Sequence, residues 1–204
     1  MQNRMYAMIS VETKVIGDGL FAPIANGKVV GMRKILVVVD MQKDFIDGAL
    51  RTVEAQKIVK PVIEKMKCYD RPDIYVTRDT HSENYLETAE GKRLPVVHCV
   101  RGTKGWQLHP EVEALTGPSH ILDKPTFGSL ELMELLRQEN EKEPLEIELV
   151  GLCTDICVVS NAMLLKSAMP EISIRVDPLC CAGVTPESHQ AALLTMKMCQ
   201  IEIA

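Results

Sequence analysis

The 204-residue chain contains no apolar run near the roughly 18 residues needed to cross a bilayer, so no membrane-spanning segment is expected. Its start, Met1 to Ser10, carries Gln2, Asn3 and Arg4 and lacks the apolar stretch of a secretory signal. No dense block of lysine and arginine is present and the formal net charge is −5, so a nucleic-acid partner has no electrostatic support. No C-x-x-C pair occurs, which removes the usual dithiol redox motif. The seven cysteines are odd in number and scattered, unlike the paired framework of a small secreted domain; they predict a reducing, cytoplasmic setting. Neither an internal repeat nor a low-complexity tract is found.

What is present is ordinary globular composition, 46% apolar and 25% charged, in a length that suits one domain with a sizeable core. A small-molecule substrate fits this balance better than a polyanion. Residues 1–31 sit apart from the rest and are expected to form an N-terminal extension, with Met8 to Val15 and Gly27 to Gly31 reading as a hairpin or flap. Residues 32–204 are expected to be the main domain.

From Lys34 onward strands and helices alternate. The β-branched run Ile35 to Val39 predicts a strand buried on both faces. Thr52 to Lys67 has helical spacing, with Pro61 placed to kink or interrupt it. Further strands are expected over 73–77, 119–123, 146–151, 172–177 and 200–203. Further helices are expected over 129–139, where Leu130, Met133, Leu135 and Leu136 are available for burial, and over 155–168. A last helix begins at the cap Thr185 with Pro186 in its first position and runs to about Cys199. Such alternation predicts an α/β fold with a mainly parallel sheet covered on both faces. Ligands in these folds bind beyond the carboxyl ends of the strands.

Residues with chemistry cluster at those ends. Asp40 follows the first strand and could be a proton acceptor or a partner for a cation, or merely cap a turn. Asp79 and His81, with Glu87, Glu90 and His98 further on, make a mixed oxygen and nitrogen set. Such a set suits zinc, manganese or iron, although solvated loop residues would look the same. Lys124 follows the third strand, where it is either a surface charge or a cation in the cleft. In Gly151-Leu-Cys-Thr-Asp-Ile-Cys157, Thr154 and Asp155 offer N-cap chemistry and Cys157 falls in the first helical turn. The helix terminus there favours a thiolate and can cradle an oxyanion, whereas most cysteines in apolar helices are structural. Cys68, Cys99, Cys180, Cys181 and Cys199 lack such a setting and read as core or loop residues.

Taken together, Val-Val-Asp40-Met-Gln-Lys-Asp-Phe45, His98-Cys99-Val100, Lys124 and Gly151-Leu-Cys-Thr-Asp-Ile-Cys157-Val resemble the motifs of the nicotinamidase/isochorismatase-like cysteine hydrolases. The resemblance runs from Ile35 to about Ile203. It implies a six-stranded, three-layer αβα fold and hydrolysis of nicotinamide to nicotinate and ammonia, a step of NAD salvage. By the same resemblance, Cys157 is the nucleophile, Asp40 the acid/base and Lys124 the cation supporting both. A non-proline cis peptide is implied at Leu152–Cys153, aiming the Cys153 N–H with that of Cys157 at the substrate oxygen. Asp79, His81 and His98 would bind a divalent ion, zinc first, then manganese or iron. Many members have a third histidine where this chain has none; Glu90 is the replacement expected here, with Glu87 second. Phe45, and more weakly Phe127, would stack on the substrate ring. Another amide or a ureido compound on the same trio is the alternative substrate, and a metal- or thiol-containing binding protein the non-enzymatic one. A homo-oligomer is implied by family habit alone.

Overall fold

The computed structural model describes residues 31–204, together with the backbone of the strands within 12–29. Those strands, β1 (Glu12–Val15), β2 (Phe21–Ala25) and β3 (Lys28–Val29), form a separate antiparallel sheet in the order β1-β2-β3. The expected hairpin pieces fall partly here and partly outside the described residues.

The main sheet is built from β4 (Arg33–Val39), β5 (Ile74–Asp79), β6 (Ile121–Lys124), β7 (Leu145–Leu152), β8 (Ser173–Ala182) and β9 (Glu202–Ile203). All its pairings are parallel, in the order β6-β5-β4-β7-β8-β9. The central β4 explains the continuous apolar run. Successive side chains point to opposite faces, and both faces are covered. Ile35, Val37 and Val39 pack with Leu132 and Leu136 of α5 (Leu130–Lys142), with Ala162 and Leu165 of α6 (Val159–Ala168), and with Leu193 and Met196 of α7 (Pro186–Met198). Leu36 and Val38 face the other way, onto Ile58, Val62 and Met66 of α2 (Val53–Met66) and Val112 of α4 (Pro110–Leu115). The remaining short helices, α1 (Lys43–Ile46) and α3 (Ala89–Arg93), lie in the loops after β4 and β5. This is the three-layer αβα architecture expected from the sequence.

Three local expectations are corrected. Pro61 does not interrupt α2, which is continuous from Val53 to Met66. The carbonyl left without its N–H belongs to Lys57, an exposed residue, where water can satisfy it. Leu130, the first residue of α5, is 65% exposed, because the buried face is the opposite one, carrying Leu132 and, one turn after it, Leu136. Two strand boundaries also move. β6 starts after the Pro118–His120 turn and includes Lys124. β8 continues to Ala182 across an irregularity, its register with β7 jumping from Leu149–Val176 to Gly151–Cys181. Pro178, which has no N–H to give a ladder, falls within that jump and hides the rest of the strand from a pattern search.

Gly151 sits in the middle of this sheet with φ +114°, and a Cβ there would collide with the Val39 carbonyl oxygen. The close approach of β7 to β4 therefore requires glycine. Gly151→Ala is expected to cost more than about 2 kcal/mol of stability, through both the clash and the backbone strain. Denaturant unfolding of the variant checks this; an unchanged midpoint would contradict it.

Candidate active site

Strand register assembles the site. Val39 pairs with Thr77 on one side and with Gly151 on the other, while Asp79 pairs with Lys124. The carboxyl ends of β4, β5, β6 and β7 are thus level, and the residues just beyond or at them converge. Asp40 leaves β4 in a left-handed conformation, φ +49°, which aspartate tolerates better than most residues. Its N–H donates to the Thr77 carbonyl at 3.2 Å and its Oδ1 accepts the Thr77 hydroxyl at 2.7 Å.

Lys124 Nζ stands between the other two members of the expected trio. It is 2.7 Å from Asp40 Oδ2 and 3.4 Å from Cys157 Sγ, with Asp79 Oδ1 at 3.5 Å. Asp40 and Lys124 are 0% and 1% exposed. Burial raises the Asp40 carboxyl above its ordinary range, against the pull of Lys124. Burial opposes the charge on Lys124, but Asp40, Cys157 and Asp79 together hold its proton more tightly than usual. Cys157 differs from the sequence expectation of a stabilised thiolate. Burial and the Asp40 charge raise its thiol well above the usual range, despite Lys124. The resting group is a neutral thiol beside a buried carboxylate–ammonium pair.

The turn carrying Cys157 also departs from the expected capped helix start. Residues Thr154–Val158 form a widened helical turn leading into α6, and neither Thr154 nor Asp155 caps it. The Asp155 carboxylate instead accepts the Val184 N–H at 3.2 Å, and the Thr154 hydroxyl meets His189. The Ile156 and Val158 N–H groups both donate to the Cys153 carbonyl, at 3.1 and 3.0 Å, around the Cys157 N–H between them. The peptide between Leu152 and Cys153 is cis. Leu152 is buried, and burial with the Asp155 charge pushes the half-buried Cys153 thiol up to about 12.

Next to the trio lies a second group. Asp79 ends β5 and His81 follows it. The segment after His98 runs alongside His81, whose N–H donates to the Cys99 carbonyl and whose carbonyl accepts the Arg101 N–H, both at 2.9 Å. His98 Nδ1 faces the Val96 carbonyl at 2.8 Å, leaving Nε2 for the cluster. His81 Nε2 is 3.0 Å from Asp79 Oδ2 and 3.7 Å from Glu90 Oε1; His98 Nε2 is 3.8 Å from each of the same two atoms. Ligands at zinc-bond lengths on a tetrahedron stand about 3.3 Å apart, and the Asp79, His81 and His98 ligand atoms all lie within 4.8 Å of one another. His81 Nε2 is buried and faces only the carboxylate oxygens of Asp79 and Glu90, both themselves able to ligate an ion. The donor set therefore fits a divalent metal. Burial would raise Asp79, but His81 and Lys124 draw it below its ordinary value, so it stays an anionic ligand. Glu87 is exposed in the turn ahead of α3.

A cavity of about 300 Å³ joins the two groups, lined by Phe45, Leu94, His98, Phe127, Ile156 and Cys157 among others. Phe45 meets the His98 ring edge-on, with centroids 5.8 Å apart, while Phe127 is 45% exposed at the rim.

Three supporting residues were missed from sequence. Gln42 is fully buried; its amide donates to the Asp79 and Trp106 carbonyls at 2.9 Å and accepts the Asp79 N–H at 2.7 Å. Asp44 accepts the Cys99 N–H at 2.8 Å and so fixes the His98 segment. Tyr85 packs against both His81 and His98, with ring centroids 4.6 and 4.9 Å away. The signal for the first two was the alternation Asp40, Gln42, Asp44 directly after a buried strand; Tyr85 had none beyond being an aromatic in a polar loop.

A doubly wound α/β domain with a thiol, a carboxylate and an ammonium at the carboxyl edge of its sheet thus adjoins a metal-ligating group of Asp79, His81 and His98, with Glu90 beside the two histidines. The family model of the isochorismatase domain matches residues 34–204, and the chain belongs to that family. It is 25% identical over 186 residues to the nicotinamidase/pyrazinamidase of Mycobacterium tuberculosis, covering 83% of this chain and 97% of that one. The crystal structure of a nicotinamidase/pyrazinamidase from Bacillus subtilis superposes with a TM-score of 0.72 at 25% identity, over 85% of this chain and 100% of the other. The pyrazinamidase of Pyrococcus horikoshii, solved in complex with zinc, gives a TM-score of 0.68 at 26% identity, over 84% and 98%.

Proposed function

We propose that the protein is a cysteine amidohydrolase that converts nicotinamide to nicotinate and ammonia through a thioester. One observation carries this: the Lys124 ammonium lies between the Asp40 carboxylate and the Cys157 thiol, at 2.7 and 3.4 Å, beside a cavity whose far wall holds a metal-ligand set. Asp40 takes the thiol proton as Cys157 Sγ attacks the carboxamide carbon. A raised carboxyl is the better base for a thiol that burial keeps neutral. The Cys153 and Cys157 N–H groups hold the oxyanion. Asp40 returns the proton to the nitrogen, ammonia leaves and the thioester remains. Asp40 then takes a proton from water, whose oxygen attacks the thioester carbon; nicotinate departs and the thiol regains its proton. Lys124 keeps its own proton throughout and balances the charge on Asp40.

Asp79, His81, Glu90 and His98 would hold the metal, zinc in the first instance, which when bound supplies an electrophilic anchor for the pyridine nitrogen. Phe45 and Phe127 flank the ring. All seven cysteines are free, which supports a reducing compartment such as the cytoplasm. Residues 32–204 constitute the hydrolase domain in this reading, with 1–31 an extension to it. Among the described residues, those lining the cavity include no lysine or arginine to receive a substrate carboxylate, which favours a neutral carboxamide over a ureido acid.

Ammonia release from nicotinamide by zinc-replete protein tests the proposal, with nicotinate expected in equal amount. No release from nicotinamide, with release from another neutral amide, would overturn the substrate. Glu90→Gln is expected to weaken metal binding at least about tenfold. Metal content after dialysis against a graded chelator would measure this, and unchanged retention would remove Glu90 from the ligand set.

A further inference from the structure

The Cys157 turn is fastened from outside the site by a residue that the reaction scheme does not use. His189 lies in the first turn of α7, whose start is fixed by a reciprocal cap between Thr185 and Ser188. Its Nδ1 is 2.8 Å from the hydroxyl of Thr154, and Thr154 is fully buried. The next residue, Asp155, is held by the Val184 N–H at 3.2 Å. The two residues that follow Cys153 are therefore tied to the first turn of α7 and to the connection that leads into it. That connection is itself close-packed: a Cβ on Gly183 would stand 2.9 Å from the His189 Cβ. Burial pushes His189 below its ordinary value, with Asp155 opposing, so the imidazole bonds Thr154 as a neutral ring near neutral pH. Thr154 lies between the two N–H groups assigned to the oxyanion, and the Val159 N–H donates to its carbonyl.

We propose that His189 is a positioning residue for the oxyanion-binding turn, acting through the Thr154 hydroxyl, an inference that rests on the hydrolase reading above. It touches neither the substrate nor the reacting atoms. Its removal is expected to lower kcat with little change in KM. Asp40, Lys124 and the metal-ligand residues lie on other segments, whereas Cys157 and the oxyanion N–H groups belong to this turn, and their misplacement is felt as the sulfur attacks and negative charge develops. A displacement approaching 1 Å in such a donor corresponds to a loss of about 10- to 100-fold.

The test compares His189→Leu with His189→Asn, whose amide can restore a partner for Thr154, and with Thr154→Val. Two measurements are made on full-length, metal-replete protein: hydrolysis kinetics, and hydrogen exchange of the amides in 152–158. His189→Leu and Thr154→Val are expected to lower kcat about 10- to 100-fold at near-constant KM. Both should also speed exchange in 152–158 alone. His189→Asn should recover most of both losses. Unchanged exchange in His189→Leu would overturn the proposal, as would faster exchange with unchanged kcat, or a kcat loss in which KM and exchange throughout the domain move together. Absence of hydrolysis by the unmodified protein would count against the hydrolase reading instead, and local exchange with its recovery by asparagine would then decide the His189 role by itself.

Discussion

Cys157→Ala is expected to lose amide hydrolysis by a factor of about 10⁴ or more while remaining folded. Cys157 is 6% exposed and lines the cavity, with the Lys124 ammonium 3.4 Å from its sulfur. No neighbouring cysteine can take over. Cys153 precedes it on the far side of the widened turn, and its thiol, pushed up to about 12, stays protonated. Removing one buried sulfur leaves a small void worth about 1 kcal/mol, too little to unfold a domain of this size. The assay is ammonia release with nicotinamide at saturation, beside a thermal melt. A variant keeping even a hundredth of the normal rate would mean that water, not sulfur, is the nucleophile. The neutral resting thiol adds a corollary: reactivity toward an alkylating probe depends on Asp40 being free to accept the proton, so Asp40→Asn should protect Cys157 from modification.

Much of this was open to a sequence reader because the chemistry sits where strand patterns end. The run Ile35–Val39 is apolar and buried on both faces, and Leu145–Leu152 is almost wholly buried and broken only by Gly151 next to its end, so their ends, and with them Asp40 and the Cys157 turn, are easy to place. Lys124 was harder. Its strand has four residues, and a lysine at its end looks like any surface charge until register sets it opposite Asp79. Two features were illegible for physical reasons. The thiol's protonation depends on burial and on the Asp40 charge, neither of which is a property of local sequence, and the helix-terminus argument alone gave the wrong direction. The roles of Thr154 and Asp155 were also misassigned. Both have cap-forming side chains, but the turn widens and their partners, His189 and Val184, are roughly thirty residues away in sequence.

Asp40 and Lys124 offer a way to separate stability from chemistry. They are an ion pair at 2.7 Å in a nearly dry site, with Thr77 completing the hydrogen bonding of the carboxylate. Removing one member leaves the other buried without its counter-charge, which typically costs about 3–5 kcal/mol. Asp40→Asn should fall at the lower end, because Asp79 at 3.5 Å still faces the ammonium. Lys124→Met leaves Asp40 with only the neutral Thr77 hydroxyl and Cys157 thiol as side-chain partners and should drive its carboxyl toward the protonated form, since burial already pushes it up. Each single variant is expected to lose turnover by about 10³-fold or more, Asp40→Asn because no base remains and Lys124→Met because the base is kept protonated. The double variant Asp40→Asn/Lys124→Met removes both charges at once. It should regain most of the lost stability in chemical denaturation while remaining as inactive as Asp40→Asn. Activity recovering together with stability would show that the pair serves folding and that the proton acceptor lies elsewhere. Stability failing to recover would mean that Lys124 is held chiefly by Asp79, making the metal-ligand carboxylate, rather than Asp40, the principal counter-ion of the buried ammonium.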